Sequence, residues 1–167
     1  GHPEDRLILS SEWFDDCSTE MITTLRESWG VDRLRVMITV RSLERVLPSA
    51  WQQAVKTGAR YTYEDWLAPL MQGPESAPGK RAHRFWYRHD TAALVQRWAQ
   101  VLGVQNVVAV VTDEREPDLL FRRTEDLLGV PEATISAGPA SNRSLTLPEI
   151  AAVRAMYQAV LPADTAR

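Results

Sequence analysis

At 167 residues the chain is long enough for one domain with a real hydrophobic core, and its 44% hydrophobic and 25% charged content is ordinary for a globular protein. A net charge of −3 argues against a general nucleic-acid binder, and no apolar run approaches the roughly 20 residues that a membrane helix needs. A single cysteine, Cys17, excludes an internal disulfide and a cysteine zinc site, while the polar N-terminus lacks the apolar segment of a signal peptide. The expectation is one domain over residues 1–167, cytoplasmic by default.

Residues 6–11, Arg6-Leu7-Ile8-Leu9-Ser10-Ser11, read as a short buried strand that turns polar at its end. Asp16 or Ser18 would cap a helix over 19–29, stopped by Gly30. The β-branched run Val36-Met37-Ile38-Thr39-Val40 predicts a strand closing at Arg41. A helix follows over 42–57, ended by Gly58, with Pro48 expected to bend or interrupt it. Tyr63 to Met71 reads as a shorter helical segment, and 73–82 as loop. Asp90 caps a helix over 91–102 that stops at Gly103, and Asn106 to Thr112 is the most strand-like run in the chain. Pro117 suits the first turn of a helix reaching Leu128 before Gly129. A loop over 131–146 then leads to a last helix from Pro148 to Leu161.

Three apolar strands separated by helices predict an α/β fold, a three-layer parallel sheet flanked by helices and joined by right-handed crossovers. Ligands in such sheets bind outside the C-terminal strand ends. Those ends here are Ser10-Ser11-Glu12, Arg41 and Thr112-Asp113-Glu114. Arg41 is followed eight residues later by Ser49, two turns along the next helix. A planar guanidinium fork and a hydroxyl so placed can grip one phosphate from two sides.

Other chemistry-bearing residues have plainer readings. Lys80, Arg81, His83, Arg84, Arg88 and His89 form a basic, aromatic-interleaved stretch that reads as a solvated loop and helix entry. Trp51, Trp66, Trp86 and Trp98 read as core and pocket wall. Two glycine-containing stretches imitate phosphate loops. Gly73 to Lys80 has the wrong spacing, follows a helix and lacks Ser or Thr after the lysine. Lys56-Thr57-Gly58 ends a helix, where carbonyls face outward and repel an anion.

The order of these features resembles the sulfotransferases that use 3′-phosphoadenosine 5′-phosphosulfate as donor, a family of the P-loop type of fold. Strand, Arg41, helix and Ser49 match its 3′-phosphate motif, and residues 62–73, 85–98 and 107–120 fit its later segments in order. The resemblance covers residues 6 to about 130 and is closest to bacterial members. It implies sulfuryl transfer to a hydroxyl or amine of a small molecule or glycan, or else a non-catalytic nucleotide-binding or scaffold module of the same fold. No nucleic-acid or membrane partner is expected, and no metal, because the ligand sets that bind one are absent. It implies Glu12 as the catalytic base, with His83 or His89 as alternatives, and Trp13 near the acceptor or adenine. Arg143 would stand in for a late basic contact to the 3′-phosphate. The family's 5′-phosphosulfate loop, a Lys-Ser/Thr-Gly-Thr-Thr-like turn, should precede residue 6. Its absence implies a sheet lacking its first strand, hence a piece of a longer protein that transfers poorly alone. An upstream segment or a second copy of the chain would complete that sheet, and residues 6–11 and 36–41 should not be direct neighbours.

Overall fold

A run of β-branched residues interrupted by Met37 forms β1 (Val36–Val40), and a second such run forms β2 (Val107–Val111). The two pair in parallel, with Val36 opposite Val107 and Val40 opposite Val111. Parallel strands need a long crossover, and the 66 residues between them supply it with four helices. The computed structural model describes residues 7–30, 34–76, 78–113, 115–138 and 143–160. These divide into two units, Gly1–Val40 with Gly79–Ser136, and Arg41–Pro78 with Ala137–Arg167.

In the first unit, α1 (Thr19–Trp29) starts where the Ser18 hydroxyl accepts the Met21 N–H at 3.3 Å. After α4 (Gly79–His89), α5 (Thr91–Leu102) starts where the Asp90 carboxylate accepts the Ala93 N–H at 3.0 Å. Each cap satisfies a backbone donor that the first helical turn leaves open. Ile22 from α1, Leu94, Trp98 and Leu102 from α5, Ile38 from β1 and Cys17 close into one core. Alternate side chains of a strand face opposite ways, so Met37 lies on the other side of the sheet, where Thr124 of α6 (Leu119–Leu128) meets it. Gly129 ends α6 in the left-handed conformation (φ 63°), which has little steric cost without a Cβ.

The second unit packs α2 (Leu43–Lys56) against α7 (Leu147–Val160) and α3 (Tyr63–Leu67). Trp51, Val55, Trp66, Leu70 and Ile150 are its buried residues among those described. Tyr63 lies beside Trp51, with ring centroids 5.2 Å apart, and stacks on Trp66. Tyr157 of α7 donates its hydroxyl to the Lys56 carbonyl, tying α7 to the end of α2.

Several expectations are corrected. Residue 6 lies outside the described residues, and 7–11 form no strand. Leu7 is 82% exposed, and Ile8 and Leu9 are also exposed. An isolated strand has nowhere to place its N–H and C=O groups except in water. β1 pairs with β2, and no third strand occurs among the described residues, so the expected three-stranded sheet is not formed there. The architecture is therefore mixed α/β and mainly helical, with a two-stranded parallel sheet.

The predicted loop over 73–82 ends early, because α4 already begins at Gly79. Ala82 and Phe85 are buried three residues apart, a helical period that the surrounding basic residues disguise. Pro48 does not interrupt α2, which continues through it to bury Trp51 and Val55 beyond. Pro117 precedes its helix instead of opening it, and Asp118 is the N-cap of α6.

Candidate functional site

Arg41 follows the last residue of β1 and Ser42 is the N-cap of α2, so strand and helix are joined by two residues. Ser42 accepts the Arg45 and Val46 N–H groups at its carbonyl, but its side chain makes no cap hydrogen bond. The first turn of a 14-residue helix thus presents N–H groups without a side-chain cap. The Arg41 and Ser49 side chains are exposed, and Arg41 has no hydrogen bond or ion pair among the described residues. Exposed Glu44, also in the first turn, is the one carboxylate there and opposes an anion.

The residues singled out as bases fall in the first unit. Glu12 opens a 3-10 helix (Glu12–Asp16), exposed, with Ser11 as cap. His89 ends α4, which packs on that 3-10 helix, so Glu12 and His89 are electrostatic neighbours. Burial holds the His89 imidazole below its usual pKa, and the Arg88 charge pushes the same way against the opposing pull of Glu12. The Phe85 ring covers the imidazole, with centroids 4.5 Å apart. His83 is exposed on the same helix, and Trp13 is 74% exposed beside Glu12.

One group in this neighbourhood escaped the sequence reading. Asp16 is not the cap of α1, a place Ser18 takes. Its carboxylate accepts Nε–H and Nη2–H of Arg88, and Nη2–H of Arg84 at 2.9 Å. The Arg88 hydrogen bonds hold the Asp16 carboxyl well below the usual carboxylate range. Asp15 beside it goes the other way, because burial raises its pKa. Arg97 of α5 donates to the Asp15 and Tyr87 carbonyls and lies 3.9 Å over the Tyr87 ring. Arg84 and Arg88 stand 68 and 72 residues from Asp16, and no local pattern signals pairing at such a separation.

Comparison with protein-family models, curated proteins and solved structures gave no match.

The remaining sequence candidates have definite places. Arg143 is forked onto Glu149, its Nη1–H and Nη2–H reaching the two carboxylate oxygens. Glu149 also accepts the Thr146 N–H and hydroxyl, which fastens the start of α7. Lys56-Thr57-Gly58 does close a helix, with the Thr57 hydroxyl donating back to the Gln53 and Ala54 carbonyls. Gly79 and Lys80 open α4, but a turn over 74–76 precedes them where a phosphate loop would need a strand. Trp51, Trp66 and Trp98 are core residues. Among the described residues there is no cluster of metal-ligating side chains, and no helix is long and apolar enough to cross a membrane.

Proposed function

We propose that the chain is a nucleotide-binding domain of sulfotransferase type, in which Arg41 and Ser49 hold the 3′-phosphate of 3′-phosphoadenosine 5′-phosphosulfate. The parent reaction would pass the sulfuryl group to a hydroxyl or amine of a small molecule or glycan. The observation that carries this reading is the exposure of Arg41 and Ser49 at and near the start of α2. Exposed Arg41 leads straight into a helix N-terminus that the Ser42 side chain leaves uncapped. Such a terminus favours an anion through its N–H groups and its dipole, and the guanidinium adds a full charge with a planar pair of donors. These donors fit a phosphate, and Glu44 is the cost they must outweigh.

Sulfuryl transfer also needs a group to take the acceptor's proton and a cation to offset charge on the leaving phosphate. Glu12 is the base in this proposal, as an exposed carboxylate with His89 as its electrostatic neighbour. Arg143 is left out of the phosphate clamp because Glu149 occupies its fork. Neither Lys56 nor Lys80 lies in a loop between strand and helix. A second reading therefore has specific support: the chain binds the nucleotide without turning it over.

Calorimetry with adenosine 3′,5′-bisphosphate tests the clamp. A charge-assisted hydrogen bond is worth about 1.5–3 kcal/mol, so Arg41→Ala should weaken binding at least about tenfold. Ser49→Ala should have a smaller effect in the same direction. A folded chain with no affinity for the nucleotide, or affinity indifferent to Arg41→Ala, overturns the proposal. Transfer assays with the labelled donor then separate an enzyme from a binding module.

A further inference from the structure

A second site lies wholly within the second unit and does not depend on the phosphate clamp. α2, the start of α3 and the start of α7 leave an open groove of about 640 Å³ between them. That volume falls within the 300–1,000 Å³ usual for small-molecule sites. Its apolar wall includes Trp51, Tyr63, Leu147 and Ile150, and the Trp51 and Tyr63 rings lie 5.2 Å apart at a tilt of 57°. Two charges border it: Glu64 at the exposed start of α3, and Arg154 on α7.

Two residues of the lining each carry a buried donor with no partner among the described residues. Trp51 is 8% exposed, and its indole N–H is buried without a hydrogen bond among the described residues. Arg154 spends an Nη2–H on the Arg60 carbonyl at 3.1 Å, while its Nε–H is likewise buried and unpaired. A native fold leaves few such groups, because each costs about 1–3 kcal/mol unless something answers it. Some other polar groups of the lining are already engaged within the protein. The Gln52 carbonyl oxygen accepts the Leu145 N–H, and the Thr62 hydroxyl accepts the Asp65 N–H.

We infer that this groove binds a planar ring carrying a carboxylate. The ring would lie against Trp51 and Tyr63, and the carboxylate would answer the unpaired N–H groups of Trp51 and Arg154. The requirement is for acceptors, because both unmet groups donate, and for an anion, because one of them belongs to a guanidinium. A ring supplies flat apolar surface to match the aromatic wall. Both N–H groups are shielded from water, so binding needs the two side chains to turn toward the groove.

The probe is 2-naphthoate, with neutral 2-naphthylmethanol as its control, titrated into the full chain and followed by calorimetry and by the indole N–H resonances. Trp51→Phe keeps a ring and removes the donor, and its missing peak identifies the Trp51 indole signal. The expected result is saturable binding of the naphthoate, a downfield shift of that signal, and weaker binding of the alcohol. Arg154→Gln should weaken naphthoate binding about tenfold, Trp51→Phe several-fold, and Glu64→Gln should strengthen it by removing a like charge. Circular dichroism confirms that each variant is folded, and Glu64→Gln, on the surface, reports even where the other two misfold. No saturable binding at millimolar probe, a stationary Trp51 signal at saturation, or affinity that Glu64→Gln lowers would each overturn the inference.

Discussion

Asp16→Asn is the most informative single perturbation of the first unit. It replaces a carboxylate that accepts from Arg88 twice and from Arg84 once, joining the 3-10 helix that bears Glu12 to the helix that ends in His89. Asp16 and Arg88 are each about three-quarters buried, with side-chain exposures of 24% and 27%. Breaking a fully buried pair costs about 3–5 kcal/mol, since one charge is left without its partner. Partial exposure reduces that, and Arg84, at 64% exposed, adds little. The expected loss is about 2–3 kcal/mol, which for a chain of this length lowers Tm by about 4–12 °C.

The pH dependence has a definite sign. Arg88 keeps the folded carboxyl ionised below the pH at which the unfolded chain takes up its proton. Its stabilisation is therefore complete above the ordinary carboxylate range and fades as pH falls through that range toward the folded value. Urea unfolding at pH 7 and at pH 3.5 should show a wide gap between wild type and Asp16→Asn that narrows in acid. A double-mutant cycle with Arg88→Gln should return most of the loss as coupling. A loss below about 0.5 kcal/mol at pH 7, or one equal at both pH values, would refute the reasoning, because exposed pairs of little worth behave that way.

Further outcomes follow from other contacts. Glu125 is 2% exposed and accepts the Ala133 and Ile135 N–H groups at 3.2 and 2.7 Å. Glu125→Ala strands both donors and should cost about 2–5 kcal/mol in chemical unfolding, with Glu125→Gln recovering part of it. Because burial lowers the His89 pKa, wild type should lose stability as pH falls from 7 to 5, where the unfolded chain takes up a proton that the folded one resists. His89→Phe should flatten that slope, as measured by melting across the range. Thr146→Ala removes the hydroxyl hydrogen bond to Glu149 at the start of α7 and should lower the urea midpoint slightly, since the pair is exposed. Arg143→Ala should leave adenosine 3′,5′-bisphosphate affinity unchanged in calorimetry, since Glu149 holds that guanidinium.

Hydrogen bonds and sterics spanning only a few residues are written in neighbouring letters, and those features were legible in the sequence. Ser18 and Asp90 as caps, Gly30, Gly103 and Gly129 as stops, β1, β2, and the Arg41-to-Ser49 spacing across strand and helix all belong to this class. Tertiary structure decided what depends on residues far apart in the chain. Leu7-Ile8-Leu9 has a strand's composition, yet it forms none and lies exposed, because a strand exists only where a partner edge receives its N–H and C=O groups. α4 exists because Ala82 and Phe85 have a core to enter, although its basic residues read as a solvated loop and helix entry. Asp16 meets Arg84 and Arg88, and the groove beside Trp51 and Arg154 opens, only once helices distant in sequence pack together. Caps, stops and strand runs can be read from neighbouring letters, whereas burial and charge pairing across the fold are properties of the packed chain.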